Sequence, residues 1–266
     1  MNVIKLMGGI GNQFFQYAFG RAQKENGIRV TYDLSWMETR TSKHPVYPRP
    51  YRLNMFNTDV PANRFKDQHT IEEYKVGFDM SLLKKDGFNF VGYWQYLDYF
   101  KDILPILKEE FKLKDTVKTA EFHKYRELIE GCESVAVHVR RGDYLLHRKG
   151  HFNTLPFKYY VDIVSRVKGS LFIFSDDIPW CKERFTRDYF DRDITFVQSE
   201  DYLEFELMRL CKHQLTTNST FSWWAGLLND NPEKIVVCPD HWLGEENSAH
   251  LHYPEEWIKV DDYVVY

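Results

Sequence analysis

The sequence predicts an α/β protein made of two Rossmann-like domains, residues 1–130 and 131–266. Three observations lead there. Short apolar runs alternate with amphipathic stretches of helical period along all 266 residues, the pattern of largely parallel sheets. The length suits one large domain or two small ones. The most chemically loaded segments each follow a predicted strand, where open α/β sheets bind their ligands.

In order along the chain, Val3 to Met7 reads as the first strand, followed by a glycine turn. A helix runs from about Asn12 to Asn26, with Phe15, Ala18, Phe19 and Ala22 forming its apolar stripe and Gly27 ending it. Ile28 to Tyr32 is the second strand. Thr39 to Pro61 is rich in Pro, Arg and Tyr without periodicity and reads as a long loop, of a kind that is often functional. Phe88 to Tyr93 is a further strand, leading into a helix through Tyr96, Phe100 and Ile103. In the second half the predicted strands are Ser134–Val139, Leu171–Phe174, Ile194–Val197, Gln214–Thr216 and Ile235–Cys238. The predicted helices are Phe157–Lys168, Ile178–Asp188, Tyr202–Lys212 and Phe221–Asn229.

Composition sets limits on function. A net charge of −4 gives no general basic field and disfavours indiscriminate nucleic-acid binding, although a local phosphate pocket stays open. The aromatic content of 17% is first of all core material. The four cysteines (Cys132, Cys181, Cys211, Cys238) are scattered, without zinc or disulfide spacing, as in a reducing compartment. No apolar run reaches the roughly 20 residues that span a bilayer, and the first residues do not read as a signal peptide. The expectation is a cytoplasmic protein.

Four segments carry chemistry. In Gly8-Gly9-Ile10-Gly11-Asn12-Gln13, glycines and a helix N-terminus suit an anion or, equally, a tight turn without a ligand. Asp33, after the second strand, sits where a dinucleotide site keeps its ribose acid, but Phe14 occupies the position that such a fingerprint keeps small. His138-Val139-Arg140-Arg141-Gly142-Asp143 places two arginines directly after an apolar strand. Their guanidinium forks suit a diphosphate, with Asp143 as a brace; the alternative is a surface salt-bridge cluster. Asp176 and Asp177 suit a guanine edge, Mg²⁺ or a helix cap. Asn218-Ser219-Thr220-Phe221-Ser222 opens a helix with hydroxyls and N–H groups that cradle phosphate, while Trp223 and Trp224 read as core.

These residues, with Gly92-Tyr93-Trp94-Gln95-Tyr96 and Leu155-Pro156-Phe157-Lys158-Tyr159-Tyr160 in the same order, resemble glycosyltransferase family 11, the α-1,2-fucosyltransferases. The resemblance spans nearly the whole chain. It implies a GT-B fold, two Rossmann-like domains facing each other across a cleft, with acceptor on the N-terminal side and donor on the C-terminal side. It implies GDP-fucose as co-substrate, inversion at the anomeric carbon, and neither cofactor nor essential metal. The acceptor it implies is O-2 of a terminal galactose in an O-antigen, capsule or oligosaccharide. A lipid-linked acceptor would bring such a bacterial enzyme to the inner face of the membrane. The donor-binding set is Gly9, Gly11, Asn12, Gln13, His138, Arg140, Arg141, Asp176, Asp177, Asn218, Ser219, Thr220, Phe221 and Ser222. The catalytic set is Arg140, Asp143 and His151, with the base open among Asp143, His147 and His151. The related α-1,6 enzymes place a Glu shortly after Arg-Arg-x-Asp, where this chain has Arg148.

Other readings compete. A nicotinamide-dependent oxidoreductase would use Gly9, Gly11 and Asp33 but leaves Arg140 and Arg141 without a task. A non-catalytic nucleotide- or carbohydrate-binding protein would bind GDP without turnover. A metal-dependent transferase would use Asp176 and Asp177.

Overall fold

The computed structural model describes residues 1–40, 49–146, 153–242, 253–261 and 263. The chain forms two compact units, Met1–Lys114 and Asp115–Tyr266.

The first unit contains strands β1 (Asn2–Lys5), β2 (Val30–Asp33), β3 (Ala62–Asn63), β4 (Thr70–Glu72) and β5 (Asn89–Val91). They form a parallel sheet in the order β3-β2-β1-β5-β4. Its helices are α1 (Ile10–Glu25), α2 (Ser35–Arg40), α3 (Glu73–Val76) and α4 (Leu104–Glu110). The apolar stripe of α1 is buried as its spacing predicts: Phe15, Ala18 and Phe19 have no exposed surface. Phe19 stacks on Trp94 at 4.5 Å between centroids, and Phe14 packs on Phe111 at 4.2 Å. Each buried ring contributes about 1.5–3 kcal/mol of transfer free energy. Gly27 ends the helix in the left-handed region at φ 80°, a conformation in which glycine carries no Cβ penalty.

Sequence and structure part company at four places. The helix expected through Tyr96 and Ile103 consists of two 3₁₀ turns, Leu97–Tyr99 and Lys101–Ile103. The α-helix begins only at Leu104, because Pro105 fits a first turn, where its missing N–H costs nothing. Strands β3 and β4 are too short to show a period. Within the loop read from Thr39 to Pro61, α2 reaches Arg40 and residues 41–48 lie outside the described residues. The chain divides after Lys114 rather than near residue 130. The cause is a helix without a strong stripe, α5 (Ala120–Glu130), which buries Phe122 and Ile129 and packs on a helix of the second unit.

That second unit holds β6 (Ser134–Val139), α6 (Phe157–Ser165), β7 (Ser170–Ser175), α7 (Ile178–Arg184), α8 (Arg187–Phe190) and β8 (Ile194–Val197). It continues with α9 (Asp201–Leu210), the partner of α5, then β9 (His213–Leu215), α10 (Thr220–Leu228), β10 (Val236–Pro239) and β11 (Ile258–Val260). The parallel sheet runs β11-β10-β9-β6-β7-β8, the doubly wound order of a Rossmann domain. Trp223 and Trp224 are fully buried core, as expected. Among the described residues no helix is long and apolar enough to cross a membrane.

Two glycines give a stability test. Gly169 has φ 127°, and a Cβ there would lie 2.1 Å from the Glu133 carbonyl oxygen. Gly27 also has positive φ, but a Cβ there meets nothing within 4 Å. Gly169→Ala is expected to cost about 2–4 kcal/mol and Gly27→Ala about 1 kcal/mol, read by denaturant unfolding. Equal costs would show that the carbonyl yields without strain.

Candidate active site

The second sheet has its switch point between β6 and β9. From β6 the chain winds outward through β7 and β8, and from β9 it winds the other way through β10 and β11. Ligands of such sheets bind beyond the carboxyl ends at this point. The loops after β6, β7 and β9 carry three of the four segments singled out from sequence.

Arg140 leaves the end of β6 with its side chain 21% exposed. Its Nη2 donates to Asp143 Oδ1 at 2.6 Å and its Nη1 pairs with Asp176 Oδ2 at 2.9 Å. Burial opposes the charge, yet Asp176 and then Asp143 outweigh it, so the guanidinium is held above its ordinary pKa. The ring of Tyr144 lies 5.5 Å from the guanidinium carbon. Arg141 is built in more tightly. Its Nε donates to Asp177 Oδ2 at 3.0 Å, its backbone N–H donates to Asp176 Oδ1 at 2.9 Å, and its guanidinium lies 4.1 Å from the Trp180 ring centroid. Asp177 also caps α7 through a bond from Trp180 N at 3.2 Å. The two aspartates expected at a guanine edge or a metal are therefore holding two arginines and a helix end. Among the described residues no three His, Cys, Asp or Glu side chains gather as a metal site.

His138, on β6 itself, is 5% exposed. Burial first, and the Arg140 charge second, push its pKa down to about 3, so the ring is neutral at working pH. Its Nδ1 lies 3.1 Å from Thr217 Oγ1, and its ring packs against Phe221 at 5.5 Å. Tyr144 Oη donates to the Asn218 carbonyl at 2.8 Å, a second tie between the loops after β6 and β9. Ser219 is the N-cap residue of α10, but its side chain makes no capping bond. The first-turn amides, which no helix satisfies internally, are those of Thr220, Phe221 and Ser222. Ser222 itself is fully buried, its hydroxyl donating to Ser219 O and accepting from Thr217 N. Asn218 is 6% exposed and donates to Asn153 O at 3.1 Å. Ser222 and Asn218 thus shape the loop, and α10 turns its N-terminus and the positive end of its dipole toward the switch point.

In the first unit the glycine turn follows β1. Gly8 takes φ 81°, and a Cβ there would meet the Asn12 amide nitrogen at 2.5 Å. Gly9 is the extended N-cap of α1, and Gly11 is buried in its first turn. Gln13, expected to touch the donor, is fully buried and engaged: Nε2 donates to Gly8 O and Pro50 O, and Oε1 accepts from Arg52 N. It fixes the loop instead. Asn12 reaches the turn after β5, where Gln95 Nε2 donates to its Oδ1 at 2.9 Å. Asp33, the acid a nicotinamide site would need, is 3% exposed and accepts from Ser35 N at the start of α2. With Phe14 in the core, this turn lacks the features of a dinucleotide site.

One titratable group with a shifted pKa gave no signal in the sequence. Glu204, in the first turns of α9, accepts from Ser199 N at 2.8 Å. Burial, then Asp201, Asp176 and Glu200, push its carboxyl up to about 8, against the pull of the Ser199 bond. A lone Glu in an acidic, amphipathic helix carries no such signal in sequence. His147 and His151 lie outside the described residues.

Two parallel-sheet Rossmann-like domains are the architecture of the GT-B class of glycosyltransferases. The chain belongs to glycosyl transferase family 11, whose model matches residues 1–261, and it is a glycosyltransferase. It is 30% identical to an alpha-1,2-colitosyltransferase of Escherichia coli, over 97% of this chain and 98% of that one. It is 25% identical to galactoside alpha-(1,2)-fucosyltransferase 1 of Ateles belzebuth, over 96% and 73% respectively. A solved structure of the NodZ alpha-1,6-fucosyltransferase, soaked with GDP-fucose, shares the fold with a TM-score of 0.53 at 15% identity, over 94% of this chain and 97% of that one.

Proposed function

We propose that the protein transfers L-fucose from GDP-fucose to O-2 of a terminal galactose, with inversion. The observation that carries the reading is Arg140 and the uncapped N-terminus of α10 in neighbouring loops at the switch point, which Tyr144 joins by its ring against Arg140 and its hydroxyl on Asn218 O. That pair is fit to receive a diphosphate. Asp143 and Asp176 hold the guanidinium in place from two sides, so Asp143 serves as a positioning group rather than as the base. In the step itself, the bond from the anomeric carbon to the β-phosphate oxygen breaks and its electron pair stays on that oxygen. Arg140 and the α10 amides stabilise the charge as it develops. The acceptor O-2 forms the new bond from the opposite face and gives its proton to a base. In this reading the guanine edge, which the resemblance assigns to Asp176 or Asp177, falls to Glu204, whose carboxyl feels the Asp176 charge. No step in this reading calls on a metal.

A second donor is favoured by the relative named a colitosyltransferase. Colitose is fucose without its 3-hydroxyl. A site built to hydrogen-bond that hydroxyl rejects the deoxy sugar by about 10⁴-fold or more, whereas one that merely leaves room for it discriminates by about 10²-fold or less. The test measures GDP release from each donor with lactose or N-acetyllactosamine, in excess EDTA. Fucosyl transfer predicts acceptor-dependent release from GDP-fucose that EDTA does not diminish. Faster turnover of GDP-colitose would assign the second donor. A folded protein that binds no GDP would overturn both.

A further inference from the structure

The turn after β5 is held more firmly than a connection needs. The Glu73 carboxylate accepts from two successive amides, Tyr93 N at 2.6 Å and Trp94 N at 2.9 Å. Gln16 Nε2 donates to Gly92 O at 3.0 Å while its Oε1 accepts from Met7 N at 2.9 Å, which joins this turn to the one after β1. Gln95 and Asn12 add a third tie. Trp94 takes φ 56°, a left-handed conformation uncommon outside glycine, and its side chain is fully buried against Phe19. Gly92 cannot carry a Cβ, which would stand 2.5 Å from Glu73 Cβ. Thus Trp94 anchors the turn from below, and Tyr93 is presented with 39% of its surface exposed at the carboxyl ends of the adjacent strands β1 and β5. Gln95, two residues along the chain from Tyr93, donates to Asn12 Oδ1, which leaves Asn12 Nδ2 as a donor and Gln95 Oε1 as an acceptor.

We propose that Gly92–Gln95 is the acceptor subsite, with the Tyr93 ring as the platform for the apolar face of a galactopyranose. The Asn12–Gln95 amide pair bonds the sugar's hydroxyls. A galactose ring gathers C–H groups on one face, which an aromatic ring covers while hydroxyls at the rim find polar partners. Fixing the platform in advance lowers the ordering cost of binding a small, well-hydrated ligand. The inference rests on galactoside transfer by the first unit's side of the enzyme and names the residue that selects the sugar.

The test compares wild type, Tyr93→Phe and Tyr93→Ala, by GDP-release kinetics over a lactose titration and by saturation-transfer NMR of lactose. Tyr93→Ala is expected to raise the lactose KM about tenfold or more, while Tyr93→Phe stays within about twofold. The KM for GDP-fucose and hydrolysis without acceptor are expected to stay unchanged, which separates this role from a structural one. A lactose KM in Tyr93→Ala within about twofold of wild type, with wild type turning over, overturns the platform. If wild type turns nothing over yet shows lactose contacts that Tyr93→Ala abolishes, the platform stands and the donor assignment fails. Wild type that binds no galactoside, or Tyr93→Ala that loses GDP binding along with lactose, also overturns the platform.

Discussion

Arg140→Ala is expected to lower kcat for fucosyl transfer by about 10²–10³-fold, the loss seen when a preorganised donor to developing charge is removed. The charge on the leaving β-phosphate grows as the glycosidic bond breaks, so Arg140 binds the transition state more strongly than the ground state. The loss should therefore fall mainly on kcat, with a smaller rise in the KM for GDP-fucose. Arg141 provides the contrast. Its side chain is bound by Asp177 and covered by Trp180, so Arg141→Ala should lower stability more than turnover. Arg140→Lys keeps the charge but cannot meet Asp143 and Asp176 together as Nη2 and Nη1 do, and should recover only part of the rate. Steady-state kinetics alongside thermal unfolding separate these cases. A folded Arg140→Ala enzyme with wild-type kcat would move the phosphate site elsewhere.

What the sequence made legible was whatever its periodicity or punctuation encodes. Val135, Val137 and Val139 announced β6, and its end placed Arg140 at the carboxyl edge. The hydroxyl and amide residues Asn218, Ser219 and Thr220 marked the start of α10. What stayed hidden depends on pairing between distant segments. Asp176 looked available because nothing local shows that it lies against the side chain of Arg140 and the backbone of Arg141. Gln13 looked like a ligand contact because its partners, Gly8 O, Pro50 O and Arg52 N, are brought to it by a loop without periodicity. The domain boundary was misplaced for the same reason: the attachment of α5 to α9 is tertiary, and two buried side chains make a faint stripe.

Glu204→Gln should stabilise the fold and weaken GDP binding at once, and the two effects have separate pH dependences. In the folded chain Glu204 keeps its proton to about pH 8, whereas an unfolded glutamate releases it near pH ~4.3. Between these values the unfolded state binds fewer protons than the native state, so this residue lowers wild-type stability as pH rises through the window. Glutamine removes that penalty and can keep the bond from Ser199 N. The variant should gain stability relative to wild type from about pH 4.5 upward, reaching about 1–3 kcal/mol near pH 8. Binding runs the other way. The N1–H and N2–H groups of guanine are both donors, which an ionised carboxylate can accept together and a carboxamide cannot. GDP therefore draws the proton off Glu204, and wild-type affinity should climb with pH until about 8. The variant should lose that slope and about 10–100-fold in affinity, the worth of hydrogen bonds to a charged group. Calorimetry of GDP binding at pH 6 and pH 8, beside urea unfolding at the same values, reads both. Increased stability with GDP affinity and its pH slope unchanged would make Glu204 a half-buried acid with no part in binding, and the guanine edge would then have to be met by another group.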